Sequence, residues 1–331
     1  MAEVSVVLPV FNGAATIERA VQSVLHQDFR DLELIVVDDG STDDTASRLY
    51  TLRDPRLRVI RQPHRGVAAA ANTGAEIASA PLIARMDADD VSHPRRVRQQ
   101  VQLLRQSDLD VVGCSVRIVD QSSQSVASLQ RYEKWINDET VKAEDILALR
   151  FVELPLVNPT ILARRNYFEL GFREGDFPED YELLLRAAHK SYRFGKVREV
   201  LFDWHDHPGR LTRTDSRYSA KAFDNCKRQY LLRGPLSRVP EVDVWGIGTT
   251  GKPWLVWLST HSIDVRHGYD INERKLGTEV HGVTVQHPSC LPYADGTPLL
   301  IAVGAEGARE VIRPQVESLG YRIGGDAWFL A

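Results

Sequence analysis

The sequence has few cysteines and no long apolar segment, and both features limit the class of protein it can encode. The three cysteines, Cys114, Cys226 and Cys290, are too widely separated for a metal-ligand spacing or a disulfide framework, which favours a reducing cytosol. No window approaches the ~18 uncharged apolar residues that a transmembrane helix needs. The N-terminus enters a β-branched run almost at once, without the basic and apolar regions of a signal peptide.

Neither sign of charge is in large excess. The chain has 41 Lys and Arg against 45 Asp and Glu, a formal net charge of −4, so composition gives no reason to expect nucleic-acid binding. Hydrophobic residues make up 43% of the 331 residues, enough to bury full cores, and the length suggests about two domains. Internal repeats and low-complexity segments are not apparent. We therefore expect a soluble, cytoplasmic, globular protein.

Strand-like and helix-like patterns alternate in the first half of the chain. Runs typical of buried strands occur at 4–10, 32–39, 56–62 and 82–87, and helical patterns occur at 15–27 and 66–78. We expect Gly40 to close the second strand and Ser41 or Thr42 to cap the helix after it. This alternation predicts an α/β fold with a mainly parallel sheet that is covered on both faces.

The second half of the chain is less regular and then starts a new series. Residues 140–204 are expected to continue as α+β structure, and the basic stretch 209–238 is interpreted as a solvated helical connection. Contact of that stretch with an anionic membrane surface is the alternative. A strand, a glycine turn and a helix follow from about 241. We therefore predict a first domain at 1–208, a basic helical linker at 209–240 and a small Rossmann-like domain at 241–331.

Polar clusters follow three of the predicted strands: Phe11-Asn12, Asp38-Asp39 and Asp87-Ala88-Asp89. In parallel α/β sheets, ligands bind beyond the carboxyl ends of the strands. We therefore expect the three clusters to face one crevice.

The third cluster places Asp87, Asp89 and Asp90 close together in sequence. Carboxylates at a strand end suit a hard divalent cation such as Mg²⁺, which leaves coordination positions for phosphate oxygens. Asp90 is expected to face elsewhere and to cap the next helix, with Arg96 as its partner. Ordinary loop and capping roles for all three residues are the alternative.

Two further carboxylates, Glu179 and Asp180, stand at the start of a predicted helix, where the helix dipole stabilises their ionised forms. Without further context, N-terminal helix capping is the favoured interpretation of both residues. If a sugar donor lies in the crevice, such a carboxylate could act as general base for an acceptor hydroxyl.

Taken in order, four motifs resemble those of family 2 glycosyltransferases of GT-A fold: "LPVFN", "VVDDGSTDDT", "ANTGAEIASAPLIARMDADDVSHPRR" and "PEDYELLLR". The resemblance covers roughly residues 4–205. It implies a metal-dependent, inverting glycosyltransferase that uses a nucleotide-diphosphate sugar, for which we favour a UDP-sugar. The implied acceptor is a saccharide or lipid-linked saccharide in surface polysaccharide biosynthesis, with peripheral contact at the inner face of the cell membrane as an option.

The resemblance also implies roles for the matched residues. Asp89, with Asp87, would bind Mg²⁺ or Mn²⁺, and Asp180 would be the catalytic base with Glu179 beside it. The nucleotide-binding residues would be Pro9, Phe11, Asn12, Asp39, Asn72 and Asp87.

The same resemblance leaves alternatives open at two places around the donor. The loop at 203–215 would offer His205, His207, Arg210 or Arg213 to the diphosphate or the metal, with a solvated polar loop as the alternative. Many relatives carry Arg-Asn where this chain has Ala71-Asn72, and Arg65 or Arg85 could replace the missing guanidinium.

The C-terminal region contains Gly246, Gly248 and Gly251 in G-x-G-x-x-G spacing, and Asp270 ends the next predicted strand. This pattern is typical of a dinucleotide-binding turn, with the acidic residue on a ribose hydroxyl. Three interpretations stay open: a structural or dimerising appendage, a nucleotide or nucleotide-sugar sensor, and a catalytic NAD site. The main alternative for the whole chain is a non-catalytic nucleotide-sugar-binding or regulatory protein that uses both nucleotide folds.

Overall fold

The structure is a computed structural model that describes residues 2–120, 126–140 and 142–331. Its strands are Val4–Val10 (β1), Leu32–Asp38 (β2), Leu57–Arg61 (β3), Leu82–Arg85 (β4), Val91–Ser92 (β5), Val111–Asp120 (β6), Leu162–Arg164 (β7), Phe194–Asp206 (β8), Glu241–Trp245 (β9), Asp264–Tyr269 (β10), Glu279–Val280 (β11), Val283–Gln286 (β12), Leu299–Ile301 (β13) and Ala327–Phe329 (β14). Its α-helices are Ile17–Leu25 (α1), Thr45–Thr51 (α2), Val67–Ile77 (α3), Arg96–Gln106 (α4), Val126–Lys134 (α5), Ala143–Ala148 (α6), Arg165–Phe168 (α7), Glu179–His189 (α8), Leu211–Thr214 (α9), Ala220–Arg233 (α10), Lys252–Thr260 (α11) and Ala308–Ser318 (α12).

The chain forms two compact units. The first contains residues 1–146 and 155–226, and the second contains residues 147–154 and 227–331. The predicted separate linker at 209–240 is thus divided in the structure, with its first part in the first unit and its remainder in the second. None of the described helices is long and apolar enough to cross a membrane.

The first unit is built on an eight-stranded sheet in the order β3-β2-β1-β4-β7-β6-β8-β5. Strands β3, β2, β1 and β4 are parallel, and β6 and β8 are parallel to each other. Strand β7 runs antiparallel to both β4 and β6, and β5 runs antiparallel to β8. The predicted mixed, mainly parallel α/β sheet is confirmed.

Small side chains explain how closely α3 packs on the centre of this sheet. Ala68, Ala70 and Ala71 are buried on α3, and the strand β1 beneath it is buried along its whole length. A Cβ at Gly74 would lie 2.4 Å from a methyl carbon of Val7, so only glycine allows this approach. This close packing therefore fixes the alanine-rich helix α3 against β1.

The predicted capping role of Ser41 or Thr42 is wrong, because α2 begins only at Thr45. The Ser41 hydroxyl accepts a hydrogen bond from the Asn12 amide (2.9 Å), and the Thr42 amide donates to the Asn12 side-chain oxygen (2.8 Å). Ser41 and Thr42 therefore join the loop after β2 to the loop after β1, and α2 begins after them, at Thr45.

The second unit contains a six-stranded sheet in the order β11-β12-β10-β9-β13-β14. All of its neighbouring strands are parallel except the β11–β12 pair. Its core includes Trp245, Leu299, Val316 and Phe329, together with Leu149 from the 147–154 segment. A second, smaller α/β sheet is therefore present in the C-terminal part of the chain.

The turn between β9 and α11 leaves no space for side chains at two of its glycines. Gly246 has a φ of +103°, and a Cβ at Gly251 would lie 1.6 Å from the Gly246 carbonyl oxygen. We expect Gly251→Ala to lower the free energy of unfolding by at least about 2 kcal/mol, because the strand and helix must move apart. Chemical denaturation of the full chain, followed by tryptophan fluorescence, measures this change.

Gly248→Ala is the matched control in the same turn. A Cβ at Gly248 would meet only the flexible end of Lys275, at 3.4 Å. Equal stability of the two variants would contradict the proposed backbone contact at Gly251.

Candidate active site

The three polar clusters follow β1, β2 and β4, which are adjacent in the sheet in the order β2-β1-β4. All three strands are parallel, so their carboxyl ends meet at one edge. The structure therefore brings together the ends of these strands as the sequence pattern predicts.

Asp39, at the end of β2, organises the loop between β3 and α3. Its buried carboxylate accepts hydrogen bonds from the Gln62 side chain (2.7 Å) and from the backbone amides of Arg65 (3.0 Å) and Gly66 (2.8 Å). The His64 Nδ1 lies 2.8 Å from the same carboxylate. Phe11 stacks on the His64 ring with centroids 3.9 Å apart and remains 45% exposed. The result is a rigid, open aromatic surface beside Asp39.

The other residues predicted to bind the nucleotide lie in the same part of the first unit. Pro9 is buried in β1 opposite Val37, and Asn12 follows the strand with a φ of +53°. The Asn72 side-chain amide donates to the Phe172 carbonyl and accepts from the Phe172 amide, both at 2.8 Å. Asn72 thus joins α3 to the segment that leads into α8. The nucleotide contacts of these three residues stay predictions.

Asp87, Asp89 and Asp90 form a cluster of carboxylates, which is hereafter the acidic cluster. One oxygen from each lies within 4.8 Å of the others. Burial and the charge of Asp89 raise the pKa of Asp87, and burial with the charges of Asp89 and Asp87 raises the pKa of Asp90 well above its usual range. The Asp90 Oδ2 is buried and accepts no hydrogen bond from any residue that the structure describes. This all-oxygen donor set fits a hard divalent cation.

The predicted position of Asp90, facing away as a helix cap, is wrong. Its Oδ1 accepts a hydrogen bond from the His205 backbone amide (2.8 Å), and its carboxylate belongs to the acidic cluster. The capping position of α4 is Arg95, and Arg96 donates to the Arg85 carbonyl (2.6 Å). The antiparallel pairing of β5 with β8 draws Asp90 inward.

Of the four residues predicted from the segment 203–215, His207 and Arg210 lie in the loop after β8 and act on the acidic cluster. The His207 Nε2 lies 3.0 Å from an Asp89 carboxylate oxygen. Arg210 stacks over the Trp204 ring at 4.4 Å, and its charge partly offsets the raised pKa of Asp87.

Of the other two predicted residues, Arg213 pairs with Asp206, whereas His205 lies on β8 beside Asp90. The Arg213 guanidinium forms an ion pair with Asp206, with one contact at 3.1 Å. The His205 ring is buried, with its Nδ1 4.0 Å from Asp90, and burial lowers the pKa of this imidazole.

Arg85 and Arg65, the suggested replacements for a guanidinium at Ala71, have different environments. Arg85 is buried at the end of β4, and its guanidinium lies 2.9 Å from an Asp87 carboxylate oxygen. Arg65 contributes its backbone amide to Asp39. Of the two side chains, that of Arg85 therefore lies beside the acidic cluster.

Glu179 and Asp180 form the first turn of α8. Both Glu179 oxygens lie 2.7 Å from the Tyr218 hydroxyl, and the Asp180 Oδ1 accepts a hydrogen bond from the Tyr181 amide (2.7 Å). Burial raises the pKa of Glu179. Burial, the charge of Glu179 and the charge of Asp87 raise the pKa of Asp180 to about 8. Because Asp87 acts on Asp180, the start of α8 and the acidic cluster lie within electrostatic reach of each other.

Sequence reasoning missed Tyr218, which lies in the short helical turn Ser216–Tyr218. The residue falls in the polar, basic stretch 209–238, whose composition indicates a solvated helical connection. Its only local signal is an aromatic side chain in that polar run, and its contact with Glu179 spans 39 positions. Only the folded chain shows this contact.

In the second unit, the predicted glycine turn and Asp270 have a local arrangement of their own. The Asp270 Oδ2 lies 2.6 Å from the Lys275 ammonium, and its Oδ1 accepts from the Asn272 amide at 2.9 Å. The same ammonium lies 3.4 Å from where a Cβ of Gly248 would be. The second nucleotide site at Gly246, Gly248, Gly251 and Asp270 stays a prediction.

Comparisons with known proteins identify the family of the chain. The family model "Glycosyl transferase family 2" matches residues 5–191. The Escherichia coli "O-antigen biosynthesis glycosyltransferase WbnJ" is 27% identical over 70% of this chain and 87% of its own. The Rhizobium meliloti "Succinoglycan biosynthesis protein ExoU" is 27% identical over 92% of this chain and 93% of its own.

A solved structure shares the fold. The crystal structure of S. aureus TarS in complex with UDP-GlcNAc aligns with a TM-score of 0.56 and 19% identity, over 70% of this chain and 66% of that one. The family match covers more than half of the residues, and this likeness supports the fold described above. The chain belongs to glycosyl transferase family 2, and the protein is a glycosyltransferase.

Proposed function

We propose that the enzyme transfers a sugar from a nucleotide-diphosphate donor to a saccharide or lipid-linked saccharide, with inversion at the sugar carbon. A UDP-sugar is the favoured donor, because the fold is shared with a protein solved with UDP-GlcNAc and with UDP. The names of WbnJ and ExoU connect such chains with O-antigen and succinoglycan biosynthesis, which supports a polysaccharide acceptor.

Metal dependence is part of this proposal. Asp89, with Asp87 and Asp90, would hold Mg²⁺ or Mn²⁺, as the unpartnered Asp90 oxygen and the crowded carboxylates suggest. A cation there would supply positive charge near the departing diphosphate. His207 and Arg210 would add donors from the loop after β8, on the same side of the donor.

The nucleotide base would lie against the exposed Phe11–His64 stack, with Asp39 fixing the loop behind it. An aromatic ring offers a flat, apolar surface to a base at little entropic cost. Asn12 and Asn72 would hold the two neighbouring loops that border this surface.

Asp180 would act as the general base. The observation that carries this role is the place of Asp180, half-buried at the first turn of α8, where the Tyr181 amide holds its carboxylate (2.7 Å) and where burial and the charges of Glu179 and Asp87 raise its pKa. Asp180 would take the proton of the acceptor hydroxyl as that oxygen bonds to the sugar carbon and the bond to the diphosphate oxygen breaks. One base is enough for such a displacement, and no covalent intermediate is needed.

A panel of donors tests the proposal. Purified full-length protein is incubated with UDP-glucose, UDP-galactose, UDP-N-acetylglucosamine or GDP-mannose, with Mg²⁺, with Mn²⁺ or with EDTA, and released nucleoside diphosphate is measured. We expect turnover of at least one UDP-sugar that requires a divalent cation and that increases when oligosaccharide or lipid-linked acceptors are added.

Tight binding of UDP without turnover of any of the four donors would contradict the proposal and support a non-catalytic nucleotide-sugar-binding protein. Equal turnover with EDTA would contradict the metal-dependent part alone.

A further inference from the structure

The Tyr218 hydroxyl makes an unusually symmetric contact with the carboxylate of Glu179. It lies 2.7 Å from both Glu179 oxygens, and Glu179 is only 4% exposed at the first turn of α8. A phenol has one proton, so a single hydroxyl placed between two oxygens serves either of them and fixes the plane of the carboxylate. Tyr218 therefore restrains both the position and the orientation of Glu179.

The other charged groups around Glu179 are more distant or have partners of their own. Arg217 forms an ion pair with Asp215 (2.7 Å), and Arg85 forms one with Asp87 (2.9 Å). Their charges favour an ionised Glu179, as the Tyr218 hydrogen bond does, whereas burial opposes ionisation.

Around Asp180 the charged and titratable neighbours come from several elements. They are Glu179 on its own helix, Asp87 after β4, and the phenols of Tyr167 and Tyr218. Of these, Glu179 has the largest effect on the Asp180 carboxylate after burial itself. A change in the charge of Glu179 therefore also changes the proton affinity of Asp180.

We propose that Tyr218 is a positioning residue for glycosyl transfer, because its hydroxyl holds the Glu179 carboxylate in place beside Asp180. This inference rests on the proposed role of Asp180 as base. Tyr218 does not touch the substrate in this proposal; it acts through Glu179 on the orientation and proton affinity of Asp180.

The same contact fastens the loop that follows β8. The loop lies against Asp89 through His207 near its start, and it lies against Glu179 through Tyr218 near its end. One segment of the first unit thus connects the acidic cluster with the carboxylate pair of α8.

Tyr218→Phe removes the hydroxyl and little else. Without its donor, the pKa of the buried Glu179 rises further, which weakens the charge that opposes the ionisation of Asp180. We expect kcat for the nucleotide sugar selected from the four donors above to fall about 10-fold or more, because Glu179 loses the hydroxyl that restrains it beside Asp180. The donor KM should stay within about 2-fold, and the acid limb of the kcat/KM profile should move to lower pH.

Tyr192→Phe is the matched control. The Tyr192 hydroxyl also makes one hydrogen bond, to the Asn166 carbonyl (3.0 Å), but at an exposed position. We expect this variant to keep the kcat and the pH profile of the unmodified enzyme. If Tyr218→Phe behaves like Tyr192→Phe, the proposal is overturned.

Two further measurements separate positioning from mere structural support. In a Glu179→Gln background, Tyr218→Phe should cause no additional shift of the pH limb, because the charge through which it acts has been removed. A loss of kcat with an unshifted limb and a lower melting temperature would overturn the proposal in favour of a structural role. Full activity of Asp180→Asn would contradict the proposed role of Asp180 as base. If Asp180→Asn is inactive and Tyr218→Phe is normal, only the proposed role of Tyr218 is contradicted.

Discussion

Asp180→Asn is expected to lower kcat by about 10²–10⁴-fold, the usual contribution of a general base. Asparagine has the same shape as aspartate but cannot take a proton from an acceptor hydroxyl. Its side-chain oxygen can still accept the hydrogen bond that the Tyr181 amide gives to Asp180 (2.7 Å), so the start of α8 should keep its structure. Affinity for UDP should therefore be unchanged.

The pH dependence of the unmodified enzyme provides a second check on this role. Burial and the charges of Glu179 and Asp87 raise the pKa of Asp180 to about 8, so the base is protonated below that pH. We expect kcat/KM to rise as the pH increases towards that value, and a bound cation near Asp87 would move the limb to lower pH.

The measurement combines two experiments. Steady-state kinetics between pH 5.5 and 9.5 cover a range of about 4 pH units that brackets the expected limb, and calorimetry measures UDP binding. Asp31→Asn is the control, since Asp31 is exposed just before β2, at the opposite end of the strand from the site. Full activity of Asp180→Asn, or a flat pH profile, would show that another group takes the proton.

Asp89→Asn is expected to abolish most metal-dependent turnover, by about 10³-fold or more, because a neutral amide is a poorer ligand than a carboxylate for a hard cation. The substitution also removes the negative charge that lies 3.0 Å from the His207 Nε2. Folding should not suffer, because the change relieves repulsion with Asp87 and Asp90, whose pKa values the Asp89 charge raises. The free energy of unfolding should be equal to or greater than that of the unmodified protein.

This opposite behaviour of activity and stability distinguishes a functional carboxylate from a structural one. The measurements are nucleoside diphosphate release, Mn²⁺ binding by electron paramagnetic resonance, and chemical denaturation in EDTA. Asp31→Asn again serves as the control. Unchanged Mn²⁺ binding together with unchanged turnover would remove Asp89 from the proposed metal site.

The sequence was most informative where local pattern and sheet geometry agree. Continuous apolar runs identify β1 and β2 because both faces of a central parallel strand are buried. Once those strands are parallel neighbours, the meeting of Asn12, Asp39 and Asp87 at one edge follows from topology alone. The loop hydrogen bonds between Asn12 and the Ser41-Thr42 pair are finer details that depend on how the chain leaves each strand.

Contacts between distant segments could not be predicted in this way. Asp90 turns inward because its carboxylate meets the amide of His205, which is 115 positions away on β8. Tyr218 reaches Glu179 from a segment whose composition is that of a solvated linker. Neither contact leaves a periodic signal, since each depends on one hydrogen bond and not on a repeating face.

The crowding in the acidic cluster has a consequence beyond catalysis. A cation that binds the folded chain and not the unfolded one shifts the folding equilibrium by mass action, and here it would also remove the repulsion among Asp87, Asp89 and Asp90. The proposed metal site would therefore make the folded fraction of the enzyme depend on the concentration of free divalent ions. A cell depleted of magnesium would hold not only a slower enzyme but also less of it.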